Sequence, residues 1–289
     1  MSNSAQVVLG GKSKLYIGSD ENNKRIKPSI AMEIYDSLPH NYPEFMKKYC
    51  LNAENITQKN LNEMIEYTGC NAISLKLSGC HPDNNDWGSD KAVENVWKII
   101  NITDLPVIVS ATGINEKDII ILKELSEKFS GMNLTLGNVT MENYQEISES
   151  VSKCGHNVIA ETPIDINLAK QLNILLSENQ IGVNRILSLT TSAVIGYGFE
   201  YSFSTIERIK LAQAQNDRFL MTPQISWITQ DVWKIKEAVS SDATINERIS
   251  VIWESATAAG YIMAGSDIVV MHNPLAIRDT VKFIQTLFN

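Results

Sequence analysis

Short apolar runs alternate with amphipathic helical stretches eight times along this chain, a rhythm that few folds accept. The runs cover residues 30–34, 72–77, 106–109, 133–136, 157–160, 186–189, 219–222 and 268–271. They are nearly continuous in hydrophobicity rather than alternating, as expected of strands buried on both faces of a parallel sheet. Between them the period becomes helical. Val93, Val96, Trp97 and Ile100 share one face, as do Ile119, Leu122, Leu125 and Phe129, then Leu168, Leu172, Leu175 and Leu176, and finally Val281, Ile284 and Phe288. Asn115 ahead of Glu116 and Asp118, Thr140 ahead of Met141-Glu142, and Pro274 at a first turn supply start signals. Eight strands, each followed by a helix, predict an α/β fold of the TIM type, a (β/α)8 barrel over residues 29–289, and 289 residues leave room for the about 250 such a barrel needs.

Two places break the rhythm. Residues 6–9 and 14–17, joined by Gly10-Gly11, predict a β-hairpin in an N-terminal extension, residues 1–28, that plugs the N-terminal face of the barrel. The stretch between strands seven and eight predicts two helices, about 230–238 and 246–263. An apolar fraction of 44% is ample for one continuous core, and no second domain is expected after the hairpin.

Charge excludes whole classes of partner. Thirty-three acidic against 25 basic residues give −8, spread along the chain, whereas nucleic acid and anionic membranes select concentrated positive surface. Residues 1–18 hold no apolar stretch long enough for a signal peptide, and no apolar run approaches the roughly 20 residues of a membrane helix. The expectation is a cytoplasmic protein. Cys50, Cys70, Cys80 and Cys154 are scattered without a Cys-x-x-Cys pair, so reduced thiols are expected and no iron–sulfur cluster on this chain.

In such a barrel, ligands meet the loops that follow the strands. Those positions carry Glu33, Asp36, Lys76, Ser78, Ser110, Thr112, Asn138, Glu161, Thr162, Thr190, Thr191, Thr222, His272 and Asn273. Any rim is polar where it meets water, but a ring without bulky apolar side chains also suits a polar ligand or partner. Lys76 with Glu33 or Glu161 reads either as an acid/base pair or as a structural ion pair. Of His40, His81, His156 and His272, three follow strands and could converge on the rim. None has the helical spacing of a zinc site, and the Asp-x-His-x-x-Gly signature that gives cobalt a histidine is absent, so no metal ligand is assigned. Gly196-Tyr197-Gly198, just before a helix, reads as a turn or as a loop that lets backbone approach something bulky.

Three long stretches resemble the small, barrel-type subunit of the corrinoid iron–sulfur protein and its archaeal counterpart, the acetyl-CoA decarbonylase/synthase delta subunit. They are residues 155–167 with 170–175, residues 196–209 around Gly-Tyr-Gly, and Trp253-Glu254, Thr257-Ala258, Ala264-Gly265 with 267–271. The resemblance implies a subunit that performs no catalysis itself. It would close over a corrinoid (a cobamide) shared with a larger partner subunit, which carries the cluster, as a heterodimer. It would meet a methyltetrahydrofolate methyltransferase and acetyl-CoA synthase transiently as methyl passes between them. Asn138 and the sixth-strand loop, with Thr191, Ser192, Gly196, Tyr197 and Gly198, are then the candidate corrinoid contacts. Leu189-Thr190 stands where the family has Asp-Pro, and His272-Asn273-Pro274 where it has Arg-His-Pro, so a divergent paralogue is also implied. An autonomous methyltetrahydrofolate:corrinoid methyltransferase and a scaffold that has lost the cofactor are the competing expectations.

Overall fold

A computed structural model describes residues 6–20, 24–238 and 242–288. An antiparallel hairpin, β1 (Gln6–Leu9) and β2 (Leu15–Gly18), precedes eight parallel strands among the described residues. These are β3 (Ser29–Tyr35), β4 (Ala72–Lys76), β5 (Val107–Ser110), β6 (Thr135–Val139), β7 (Asn157–Thr162), β8 (Ile186–Thr190), β9 (Ile225–Trp227) and β10 (Ile268–Met271). The intervening helices are α1 (Gln58–Thr68), α2 (Ser89–Ile102), α3 (Asn115–Lys128), α4 (Tyr144–Cys154), α5 (Ile166–Glu178), α6 (Phe199–Ala214), α7 (Thr229–Trp233), α8 (Ala243–Ala264) and α9 (Pro274–Leu287). The sheet runs β8-β7-β6-β5-β4-β3-β10-β9, so the expected TIM-type barrel forms and is nearly closed.

The seam between β8 and β9 is held by little backbone. One bridge joins Ser188 to Gln224, and the Ser188 N–H donates to the Pro223 carbonyl at 2.9 Å. Side chains stitch the rest: the Ser188 and Thr222 hydroxyls lie 2.7 Å apart, and Asn173 Nδ2 donates to Ser188 Oγ at 3.2 Å. This corrects the seventh strand. The apolar run 219–222 is a turn, with the Leu220 N–H on the Asp217 carbonyl, and Pro223 separates it from the three-residue strand Ile225–Trp227. Thr222 therefore lies buried at the entrance of β9, on the seam, and not on the ligand-facing rim. Between β9 and β10 the first expected helix shortens to α7 and a 3-10 turn (Lys236–Ala238); the second is α8, whose N-cap Asp242 accepts from the Thr244 and Ile245 amides.

The hairpin does fill the N-terminal end. Val7, Leu9 and Ile17 are buried against Ala31, Ala72, Ile108, Ile159, Leu187, Ile225 and Ile268 inside the barrel. Asn133 and Asn157 both donate to the Val8 carbonyl, at 2.9 and 2.8 Å, which pins the plug in register.

One irregularity shapes the other end. The β6–β7 register shifts between Leu136 and Val139. Strict alternation would send Gly137 and Asn138 to opposite faces, yet Gly137 abuts Ile159 of the inner cluster and Asn138 lines the mouth. A bulge re-aims a side chain in this way. A Cβ at Gly137 would stand 2.8 Å from Ile159 Cβ, a branch atom fixed to the backbone. Gly137→Val is expected to destabilise the protein by about 1–3 kcal/mol through overpacking. An unchanged thermal midpoint would show that β6 yields there.

Candidate functional site

The C-terminal ends of the strands open on a cavity of about 270 Å³ lined by Glu33, Lys76, Ser110, Asn138, Glu161, Leu189, Thr191, Ser192, Trp227, Thr229, Asp231 and Lys234. A relay of hydrogen bonds crosses it. Lys76 Nζ donates to Ser110 Oγ (3.1 Å), Ser110 Oγ to Asn138 Oδ1 (3.3 Å), and Asn138 Nδ2 to Glu161 Oε2 (2.7 Å). Cation and carboxylate are thus linked through two neutral groups, and among the described residues Lys76 forms no direct ion pair. The expected Lys76 pairing with Glu33 or Glu161 is replaced by this chain.

Glu33 is fully buried at the cavity floor, where Tyr35 Oη donates to one carboxylate oxygen at 2.6 Å and Trp227 Nε1 to the other. Burial raises its pKa; hydrogen bonds from Tyr35, Thr229 and Trp227 and the charge of Lys76 work against that rise. With both Glu33 oxygens engaged, the Asn138 amide and the Glu161 carboxylate supply donor and acceptor groups to the cavity.

Beneath the floor lies a second, buried network. His272 Nδ1 stands 2.8 Å from the Glu33 carbonyl and Nε2 2.6 Å from Tyr42 Oη, with Trp233 packed edge-on at 5.2 Å. Burial pushes His272 down to about 4, so the ring is neutral near pH 7. Glu254 accepts from the His272 and Asn273 amides, and burial pushes it up to about 8. The four histidines do not meet at the mouth: His272 is under the floor and His156 is buried between Ser126 and Leu134. His40 and His81 border an adjoining cavity of about 410 Å³ that shares Lys76. Among the described residues no three His, Cys, Asp or Glu side chains are grouped to hold a metal, and no helix is long and apolar enough to cross a membrane.

The sequence-predicted contacts divide. Asn138, Thr191 and Ser192 line the mouth, although the Ser192 hydroxyl is already engaged by the Trp227 amide at 3.0 Å. Gly196, Tyr197 and Gly198 stand outside the cavity; the Tyr197 ring is exposed, and its hydroxyl donates to Glu237 at 2.8 Å and accepts from the Lys236 amide at 3.0 Å. Gly198, at φ +94, is the N-cap of α6, a left-handed position that a side chain strains. Asp36 is a structural anchor for the Ser37 and Gly79 amides. Trp227, Thr229, Asp231 and Lys234 were not expected at the site; placing the seventh strand at Ile225 would have put Trp227 at its end.

These features define a class: a β/α barrel with a polar, hydrogen-bonded mouth at the carboxyl ends of its strands. Solved structures of similar fold include dihydropteroate synthase from Thermus thermophilus (TM-score 0.60, 11% identical, covering 97% of this chain and 98% of that one). Another is dihydropteroate synthase in complex with pteroic acid from Coxiella burnetii (TM-score 0.61, 12% identical, 98% of each chain). At these identities the likeness is one of fold. The chain belongs to the CO dehydrogenase/acetyl-CoA synthase delta subunit family, whose model matches residues 2–288. Relatives include the acetyl-CoA decarbonylase/synthase complex subunit delta of Archaeoglobus fulgidus, 27% identical over 97% of this chain and 64% of that protein. Subunit delta 1 of Methanosarcina thermophila is 26% identical over 98% and 66%. The chain thus spans about two thirds of the length of these relatives.

Proposed function

We propose that this chain is the barrel subunit of a cytoplasmic corrinoid methyl carrier, covering a cobamide held mainly by a larger, cluster-bearing partner. Membership of the delta subunit family over residues 2–288 is the observation that carries this reading. The site is compatible with the cofactor in chemistry. Its mouth offers amide, hydroxyl and carboxyl groups, among them Asn138 and Thr191, to the amide side chains of a corrin. At about 270 Å³ it is smaller than pockets that enclose a drug-sized ligand, about 300–1,000 Å³. A macrocycle would therefore lie across the rim. The corrinoid, when bound, supplies the cobalt chemistry that accepts and releases methyl. This chain's residues position its periphery and exclude water, and Tyr197 on the exposed loop offers a face to cofactor or partner.

Reconstitution with the large subunit tests this. A red-brown heterodimer is expected, and Tyr197→Ala should weaken assembly by about tenfold, as loss of an aromatic contact does, while leaving the melting temperature within a degree or two. Gly198→Val is the poorer probe, since its positive φ lowers thermal stability first. Failure to assemble, or a colourless complex, would sink the reading.

A second reading rests on one observation: Glu33, Asn138 and Glu161 converge from three strands, the acid-and-amide set an autonomous methyltetrahydrofolate methyltransferase would need. The isolated chain is nevertheless expected to show no turnover with methyltetrahydrofolate and free cob(I)alamin. Enzyme-like rates abolished by Asn138→Ala would favour this second reading.

A further inference from the structure

The cavity of about 410 Å³ beside the mouth is bordered by Lys76, His40, His81, Asn84, Asp83 and Thr112, among others. In a chain of −8 overall, its lining carries one cation, Lys76, and one carboxylate, Asp83. Lys76, common to both cavities, has a serine hydroxyl for its partner and, among the described residues, no carboxylate. The His81 ring accepts the Asp83 amide at Nδ1 (3.0 Å), so the neutral ring keeps its proton on Nε2 as a donor. Of the nearby carboxylates, Glu33 feels the Lys76 charge from the mouth side, and Glu161 is reached from Lys76 only through Ser110 and Asn138. The Asp83 side chain is 94% exposed and 3.9 Å from His81 Nδ1, and Asp36, behind Ser78, is occupied by the Ser37 and Gly79 amides. Asn84 spends its amide donors on the Leu38 and Ser78 carbonyls, Ser78 donates to the Ser37 carbonyl and Thr112 to Asp118, which leaves Lys76, the Asn41 amide and the two imidazoles as the groups that can face a ligand.

We propose that this side cavity is an anion subsite, taking a phosphodiester or carboxylate group of a ligand whose larger part lies over the mouth. Lys76 at the junction carries the charge, and His81, His40 and the Asn41 amide add donors, the arrangement that charge-assisted hydrogen bonding to an oxyanion requires. The subsite rests on the geometry of this cavity and not on the corrinoid reading, so either stands if the other fails.

Histidine ring proton resonances of the full chain, followed by NMR at fixed pH and ionic strength, test it with dimethyl phosphate and with acetate as probes. Saturable shifts are expected for His40 and His81, with His156 and His272, both buried, unmoved. Lys76→Gln should weaken the binding by about tenfold, the loss of one charge-assisted bond, with the two buried histidine signals confirming the fold. Tighter dimethyl phosphate points to a phosphodiester source, and tighter acetate to a carboxylate. No saturable shift at tens of millimolar, equal shifts at all four histidines, or undiminished affinity in Lys76→Gln would each overturn the proposal.

Discussion

Replacing Leu9 with alanine is expected to lower the unfolding free energy by about 3 kcal/mol, the usual cost of a large-to-small change in a packed interior. Leu9 lies outside the eight-stranded barrel in sequence, yet it is fully buried inside it, against residues contributed by several barrel strands. The barrel interior is a packed column rather than a pore. Small residues such as Ala31 and Ala72 leave the N-terminal end of that column to be filled from outside. A loosely attached flap would behave differently. Tyr16 on the same hairpin is half exposed, and Tyr16→Ala should stay within about 0.5 kcal/mol of the parent. Urea midpoints of the two variants decide between plug and flap. Equal midpoints would show that the hairpin contributes no stability through Leu9.

Glu254 should give the protein a pH dependence that Glu254→Gln removes. Its folded pKa stands at about 8, against an ordinary value of 4.5, because burial disfavours the charge more than the His272 and Asn273 amides favour it. The folded state therefore binds this proton more tightly than the unfolded chain. That contribution is fully present below about pH 4.5 and is lost as pH rises through 8. At one proton's worth, about 1.4 kcal/mol per pH unit, the parent should lose on the order of 2 kcal/mol relative to Glu254→Gln between pH 6 and pH 8. Glutamine keeps an oxygen for both amides, which share Glu254 Oε1 at 2.6 and 3.1 Å. Glu254→Leu orphans them and should cost about 3 kcal/mol or more at pH 6. Thermal denaturation across this range is the measurement. Parallel curves for parent and Glu254→Gln would mean that Glu254 is ionised in the folded protein throughout.

The rim was legible as a list and not as a site. Glu33, Lys76, Ser110, Asn138 and Glu161 could be named from their positions after apolar runs, because parallel strands buried on both faces advertise where they end. Their order across the cavity could not. The relay from Lys76 through Ser110 and Asn138 to Glu161 depends on the β6 irregularity that turns Asn138 inward, and no periodicity encodes a bulge. The seventh strand was misplaced for a related reason: 219–222 is the more hydrophobic run, while Ile225–Trp227 is too short to carry a period.

What the sequence determined by itself was the class of architecture, the plug before it and the polar character of the mouth. Each of these follows from which residues must leave water, and local pattern records that directly. The tertiary structure alone decided which rim groups share a cavity. It decided too that His272 is a buried neutral ring under the floor, that Trp227 closes over Glu33, and that Lys76 stands between two cavities with a serine hydroxyl as its hydrogen-bond partner. Those facts arise when eight strand ends from distant parts of the chain are brought around one axis by closure of the sheet. Contacts of that kind depend on register and shear, which a strand's own residues do not specify.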